Sequence, residues 1–509
     1  MFVLLALIAA VARADAPRIG TITVHTVSLF SDDEQTHGRF YRILNRLHTP
    51  TGKELVRKFL LFREGDVYDP LRIKESEKNL RKLDFIKSAD ITVGPEHDGV
   101  VDISVDTQDE WTTDPNVDFG HNGRAGTWSM NVTQKDLFGS AAEVSVTGER
   151  TVDRTTQALE VLDSAFVRPY WNLATLLAKS SDGSERRIAI EQPFYSIFTP
   201  LSFSIAYDDH SLDERIFRAG EIESRFHVLA HAEHAIGGWA FDATPQHSQR
   251  LYAGYETDIA DFHRVIGTTL LPASRDFRYL VAGYEYTSTT PLKLDYVDHD
   301  QRFDDFDLGR RVAVFLGAGN AAKEMRAEAS DGVRLGSGRG LFLPSLSYRT
   351  RVIAGRTQNA IASADVRLIW KFDLAKPNAF VSRLHFDEGR RLDRDVQFFA
   401  DTVHGLRAYP AYAISGDRAL VFNAEERVFL GRELMQIFAP GLAMFVDSGT
   451  ASAARLHFGD LKTDAGIGLR IAIPRAESTV IRLDAAYAFN PVGAMHRGWL
   501  ISLGTSQAF

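Results

Sequence analysis

Charged side chains run through apolar, alternating segments towards the end of this chain. In "ESTVIRLDAAYAF", residues 477–489, Ile481, Leu483, Ala485, Tyr487 and Phe489 share one face at period two, while Val480, Arg482, Asp484, Ala486 and Ala488 share the other. In "ALVFNAEERVF" the residues Asn423, Glu425 and Arg427 lie opposite Leu420 and Phe422. Asp447 is in phase with Ala443 and Phe445 and out of phase with Leu442, Met444 and Val446. The chemistry open to such a set is charge pairing. A carboxylate turned towards lipid costs several kcal/mol, so an enclosed, wet face is the favoured place for these groups. For Arg470, Arg482 and Asp484 the plain reading is mutual neutralisation.

Other constellations offer less. His227, His231 and His234 in "ESRFHVLAHAEHAIG" would gather on one face of a helix as metal ligands. As a strand, however, Glu221, Glu223, Arg225, His227, His231 and Glu233 form a polar face, best read as lumen-facing, against Ile222, Phe226, Val228, Ala230 and Ala232. The acid-rich "DYVDHDQRFDDFD", residues 295–307, lacks the glycine spacing of an EF-hand and reads as a solvated extracellular loop. "AEASDGVRLGSGRG" has no strand-to-helix context for a nucleotide loop. No G-x-S-x-G elbow occurs, so the chain is not expected to be an enzyme, and no cofactor or metal is implied.

These residues sit in a chain of 509 residues, 44% hydrophobic and 25% charged, with net charge -9 and no cysteine. The acidic balance and the lack of a basic run argue against nucleic acid as a partner. Lack of cysteine excludes disulfides and thiolate chemistry. The apolar run Phe2–Ala12 followed by Ala12-Arg13-Ala14 reads as a signal peptide over residues 1–14, without a basic n-region. No later apolar run approaches the roughly 20 residues of a membrane helix.

Two unlike halves follow. Residues 17–110 read as a small α+β domain in the order strand, helix, helix, strand, strand, with Phe40, Ile43, Leu44 and Leu47 on one helical stripe and Ile73, Ser76, Leu80 and Leu83 on another. Residues 111–509 read as an antiparallel transmembrane β-barrel: segments of about 9 to 13 alternating residues recur between turns, with aromatic residues near their ends. About 16 strands are expected.

The first half, with its "LLFREGDVYDPLRIKESEKNLRKLDFIKSADITV" and "VDISVDTQDEW", resembles a POTRA module. The second resembles the BamA/TamA family of outer-membrane assembly and translocation proteins, known also as bacterial surface antigens. "HGLRAYPAYAISGDRALVFNAEERVF" is similar to that family's loop signature, "FVDSG" to its F-x-D-x-G strand, and "GIGLRIAIPRAESTVIRLDAAYAF" to its late strands. The resemblance implies that Arg407 is the arginine of an infolded loop, with Tyr409, Gly416 and Asp417 in the same signature and Glu425 and Asp447 as its acidic partners. Ala408 stands where the family usually has glycine. Phe509 takes the place of a C-terminal strand signal.

The function so implied is insertion of β-barrels into the bacterial outer membrane, or protein translocation across it. The POTRA module would lie in the periplasm and receive clients along the edge strand "FIKSADITV". The barrel seam, between residues 115–122 and 497–509, would template them. Expected partners are unfolded outer-membrane or secreted proteins, periplasmic chaperones or accessory proteins, and membrane lipid or lipopolysaccharide. The competing reading is a passive pore or structural barrel without client-folding activity.

Overall fold

The computed structural model describes residues 16–27, 50–121, 126–298, 303–431, 434, 438–473, 480–493 and 497–505. The expected signal peptide, the helix expected over 40–47 and Phe509 lie outside them.

The chain begins with β1 (Arg18–Val27), α1 (Lys53–Lys58), α2 (Pro70–Leu80), β2 (Ile86–Val93) and β3 (Val100–Asp109). Strand order is β1-β3-β2, with β1 parallel and β2 antiparallel to β3. Alternation along β3 turns Ile103 and Val105 into a core with Val56, Phe59, Ile73 and Leu80, with Val101 buried on the same face. Helix α2 starts where Asp69 accepts the Leu71 N–H at 2.9 Å, with Pro70 at its first position.

Next come β4 (Thr113–His121), β5 (Gly126–Gln134), β6 (Ala142–Arg150), β7 (Thr155–Asp163), β8 (Asn172–Ser180), β9 (Gly183–Gln192), β10 (Leu201–Arg218), β11 (Glu221–Ala243), β12 (His247–Arg264) and β13 (Arg275–Ser288). A hairpin, β14 (Pro291–Asp295) and β15 (Phe303–Asp307), interrupts the wall. It resumes with β16 (Arg311–Gly319), β17 (Lys323–Ser330), β18 (Val333–Leu335), β19 (Gly340–Ile353), β20 (Arg356–Trp370) and β21 (Asn378–Arg390). After a long loop holding β22 (Phe398–Phe399) and β23 (Ser415–Gly416), the wall is completed by β24 (Arg418–Phe429), β25 (Ala439–Ser452), β26 (Lys462–Ala472), β27 (Val480–Ala488) and β28 (Gly498–Thr505). β28 pairs with β4 and closes the ring.

β17 and β18 pair with successive parts of β19, so the barrel has 20 staves. This overturns the expected fold class, an α+β POTRA module followed by a barrel of about 16 strands. Helix is nearly absent: the α-helices among the described residues have 6 and 11 residues, and a helical POTRA module is not evident. The strand count was underestimated because stave lengths are uneven, from 8 residues in β28 to 23 in β11. A regular alternation length does not parse such a wall.

The wall sorts the alternating residues. Leu442, Met444, Ile467, Trp499 and Ile501 are each more than half exposed on the outside, whereas Arg470 and Asp484 are buried within. An apolar outer belt and an enclosed polar lumen are what a bilayer demands of a closed sheet. Chain direction alternates from stave to stave, so the turns fall into two sets. The loops 135–141, 164–171 and 193–200 lie at the near end, by the N-terminal sheet, and the loop 391–417 lies at the far end.

The N-terminal sheet is docked on near-end loops. Tyr170 packs edge-on to Phe59 at 5.3 Å, stacks on Tyr195 at 3.9 Å and donates from its hydroxyl to the Phe59 carbonyl. Burial pushes the Tyr170 phenol above its usual range.

Candidate functional site

The loop 391–417 enters the lumen from the far end and is tied there at several points. The Gln397 amide imitates a strand neighbour: it accepts from the Phe217 N–H at 2.8 Å and donates to the Phe217 carbonyl at 2.9 Å. β22 and β23 pair through Phe398 with Gly416 and Phe399 with Ser415. Asp401 is fully buried and accepts from the backbone N–H groups of Val403 (2.9 Å), His404 (3.1 Å) and Tyr412 (2.6 Å), which folds residues 401–412 into a tight turn. Gly405 supplies the one left-handed residue needed before the tip, at φ 108°. The alanine at 408 therefore meets no backbone constraint that demands glycine. Its N–H donates to Asp464 at 3.2 Å.

That turn presents Arg407 to the wall. Its Nε and Nη2 donate to the two carboxylate oxygens of Asp447, at 2.7 and 3.0 Å, and Nη1 donates to Glu425 at 2.6 Å. The guanidinium lies 3.4 Å from the ring centre of Phe445, adding a cation–π contact. Glu425 and Asp447 are fully buried. Two carboxylates out of water are tolerable only because fork-shaped donors meet them.

The cluster extends along four staves. Arg470 bridges Asp484 (2.6 Å) and Glu425 (3.3 Å), and Arg482 approaches Asp484 at 3.4 Å. Asp447 and Asp464 are direct cross-strand neighbours, as are Arg470 and Arg482. Like charges opposite one another are unfavourable. Here the diagonal partners and the inserted Arg407 compensate.

Of the residues singled out in the sequence, the structure brings Arg407, Glu425 and Asp447 together. Tyr409 lies alongside, fully buried, donating to the Thr463 carbonyl at 2.9 Å. Gly416 and Asp417 lie apart from the cluster, against β25, where the Asp417 N–H donates to the Ser452 carbonyl at 3.1 Å. Gly416 passes so close to that strand that a Cβ would stand 2.2 Å from the Ser452 carbonyl carbon.

Two expectations change. Over its described residues, 295–298 and 303–307, the acid-rich stretch is no solvated extracellular loop. Its hairpin enters the near end of the lumen, where Val297 is fully buried and Asp298 pairs with Arg427 at 2.6 Å and with Arg367 at 2.5 Å. Arg427 also reaches Glu425 at 3.0 Å, so Asp298, Arg427, Glu425, Arg407 and Asp447 form one chain of ion pairs between the two infolded segments. The reach of this hairpin is a tertiary fact.

The histidine face of β11 also turns the other way. His227 and His231 share the side of the half-exposed Leu229, while Phe226 and Val228 are buried inside with Leu212 and Ile216. There Phe226 and Val228 pack with Ala260, Phe262 and Leu271, and Asp395 of the infolded loop bridges to Arg275 at 2.8 Å nearby. The three histidines are not gathered: His227 meets Asp213 at 2.9 Å, His231 meets Glu233 at 3.1 Å and His234 meets Ser204 at 2.8 Å.

With the geometry in view, comparison with known proteins adds shape. The chain is similar in fold to CdiB and BamA barrels. CdiB from Acinetobacter baumannii is 14% identical with a TM-score of 0.49, the match covering 96% of this chain and 74% of that one. CdiB from Escherichia coli is 11% identical at 0.49, covering 96% and 76%. BamA from Haemophilus ducreyi lacking POTRA domains 1–3 is 11% identical at 0.39, covering 96% and 85%. At such identities and scores the likeness carries no assignment of function. No protein-family pattern and no curated protein matches the chain.

Proposed function

We propose that this chain is a non-enzymatic outer-membrane barrel that inserts protein clients into the membrane or exports them across it, by opening its seam. The observation that carries the reading is the closure between β28 and β4. Among the described residues Ser502 is in ladder register with Gly120 and Leu503 with Phe119. The Asp118 side chain stands in for missing ladder bonds, accepting from the Thr505 N–H at 2.7 Å and its hydroxyl at 3.2 Å. A barrel edge in lipid is costly, and the junction where a side chain replaces a ladder bond is the part of the wall most readily exchanged for a client strand.

Two further features support the reading. In the N-terminal sheet, β2 is an outer strand, while the N-terminal part of the other outer strand, β1, is covered by residues 65–68 through Ile19 and Pro17. β2 is thus the edge able to accept an extended client segment. The lumen holds both the loop 391–417 and the hairpin 291–307, which disfavours a passive, open pore.

The test exploits the absence of native cysteine. Gly120 and Ser502 face one another across the seam, at a separation suited to a disulfide. A Gly120→Cys/Ser502→Cys chain should support normal outer-membrane protein levels when reduced. When oxidised it should deplete particular barrel or surface proteins, with their precursors accumulating. An unchanged proteome under both conditions refutes the seam mechanism.

A further inference from the structure

The staves β6 to β9 carry a feature that neither the lumen cluster nor the seam uses. Residues directly opposite one another share a face, so Val146, Leu159, Leu177 and Arg186 form one row across the outside of the wall, and Gly148, Gln157, Lys179 and Ser184 form the next row towards the far end. The face is the outer one: Val146, Leu159, Leu177 and Ile188 are all substantially exposed on it. Gly148 has no side chain to fill its place, and the rows enclose a groove of about 560 Å³.

The groove has an unusual charge. Lys179 and Arg186 are exposed and have no ion-pair partner among the described residues. Arg150, exposed one step further towards the far end on β6, is likewise unpaired. Inside the same wall Arg187 is held by Asp208 at 2.7 Å and by Glu185 at 3.0 Å. Asp209 stands opposite Arg186 across β9 and β10 without forming an ion pair with it, and offsets one of the three cations. Long cations at the edge of an apolar belt reach up to the headgroup level. Hydration would satisfy a single one. Lys179, in one row with the hydrogen-bonding side chains of Gln157 and Ser184, and Arg186, at the end of the apolar row of Leu159 and Leu177 beside it, match a ligand that is anionic and oxygen-rich at one end and apolar at the other.

We propose that this groove binds a phosphorylated membrane amphiphile of the leaflet at the far end, its phosphate on Lys179 and Arg186 and its acyl chains over Val146, Leu159 and Leu177. The inference rests on the membrane placement in the proposed function but not on client handling. A site of this kind would fix the rotational setting of the wall in the leaflet some distance from the seam.

The full chain, folded in phosphatidylcholine nanodiscs, should retain diphosphorylated lipid A through native mass spectrometry. Lys179→Ala/Arg186→Ala should lower the retained fraction about tenfold, as losing roughly 1.4 kcal/mol of binding would. Gln157→Glu, which leaves both cations in place and adds a carboxylate, should lower it as well. Equal retention by the double variant, equal retention of phosphatidylcholine, or full competition by inorganic phosphate at the same concentration overturns the site. A chain that does not enter the nanodisc overturns the membrane placement and the site with it, whereas insertion without lipid selectivity overturns the site alone.

Discussion

The guanidinium of Arg407 holds Asp447 by a two-point fork, at 2.7 and 3.0 Å, from the loop that joins β21 to β24. Removing it leaves Asp447 and Glu425 buried without their main cation, a loss of about 3–5 kcal/mol for a broken buried pair. Arg407→Ala should therefore lower the temperature at which the barrel unfolds far more than Arg482→Ala, because Arg482 makes one longer contact, 3.4 Å, and is partly exposed. Arg407→Lys should not restore the wild-type value, since a point charge cannot reproduce the fork. Heat-dependent migration of the folded barrel on gels measures all three. Equal effects of the two alanine variants would refute the role given to the loop.

Gly416 is constrained by space and not by backbone conformation. With a Cβ 2.2 Å from the Ser452 carbonyl carbon, Gly416→Ala must push the loop off β25, at a cost of about 1–3 kcal/mol or more. Limited proteolysis should then cut between residues 391 and 417 in the variant and not in the wild type.

The hairpin of β14 and β15 should act as the near-end stopper. Asp298→Ala strips Arg427 of a carboxylate partner and loosens the hairpin from the wall. Single-channel recordings in planar bilayers should show larger or more frequent openings than the wild type. Unchanged conductance would mean that the loop 391–417 alone closes the lumen.

Period-two alternation made much of the barrel legible. Glu425, Arg427 and Asp447 could be placed inside because Phe422, Met444 and Val446 had to face lipid, and their phases are opposite. The same rule failed where its premise failed. On β11 Phe226 and Val228 turn inward onto Leu212, Ile216 and Phe262, and His227 and His231 turn outward. Stave number was illegible because β10, β11 and β12 rise well beyond the 9-residue staves β4 to β8. Long-range insertions such as Asp298 onto Arg427, 129 residues apart, leave no local pattern at all. Arg407 was found through resemblance to a loop signature, since nothing in its own neighbours marks it as a lumen residue.

The docking of the N-terminal sheet should depend on pH at its alkaline end. Burial raises the Tyr170 phenol above its usual value near 10, so the neutral hydroxyl is the form the interface holds. A folded-state value above the unfolded one means that the contribution is complete below about pH 10 and is lost as pH rises beyond it. Protease release of residues 16–110 should thus be flat from pH 6 to about 10 and then increase. Tyr170→Phe should abolish that rise while raising the baseline, because the bond to the Phe59 carbonyl is gone at every pH.

At the seam, Asp118 does what ladder bonds do elsewhere, and its removal separates closure from folding. Asp118→Ala leaves the Thr505 N–H and hydroxyl without their acceptor, a loss of about 1–3 kcal/mol if neither finds water. The wall contacts of every other stave pair are untouched, so the barrel should fold with its usual yield. Hydrogen exchange should then rise in β4 and β28 while β24 to β26, locked by the lumen ion pairs, stay protected. If exchange instead rises evenly around the ring, the seam is no weaker than the rest of the wall, and a lateral opening loses its structural basis.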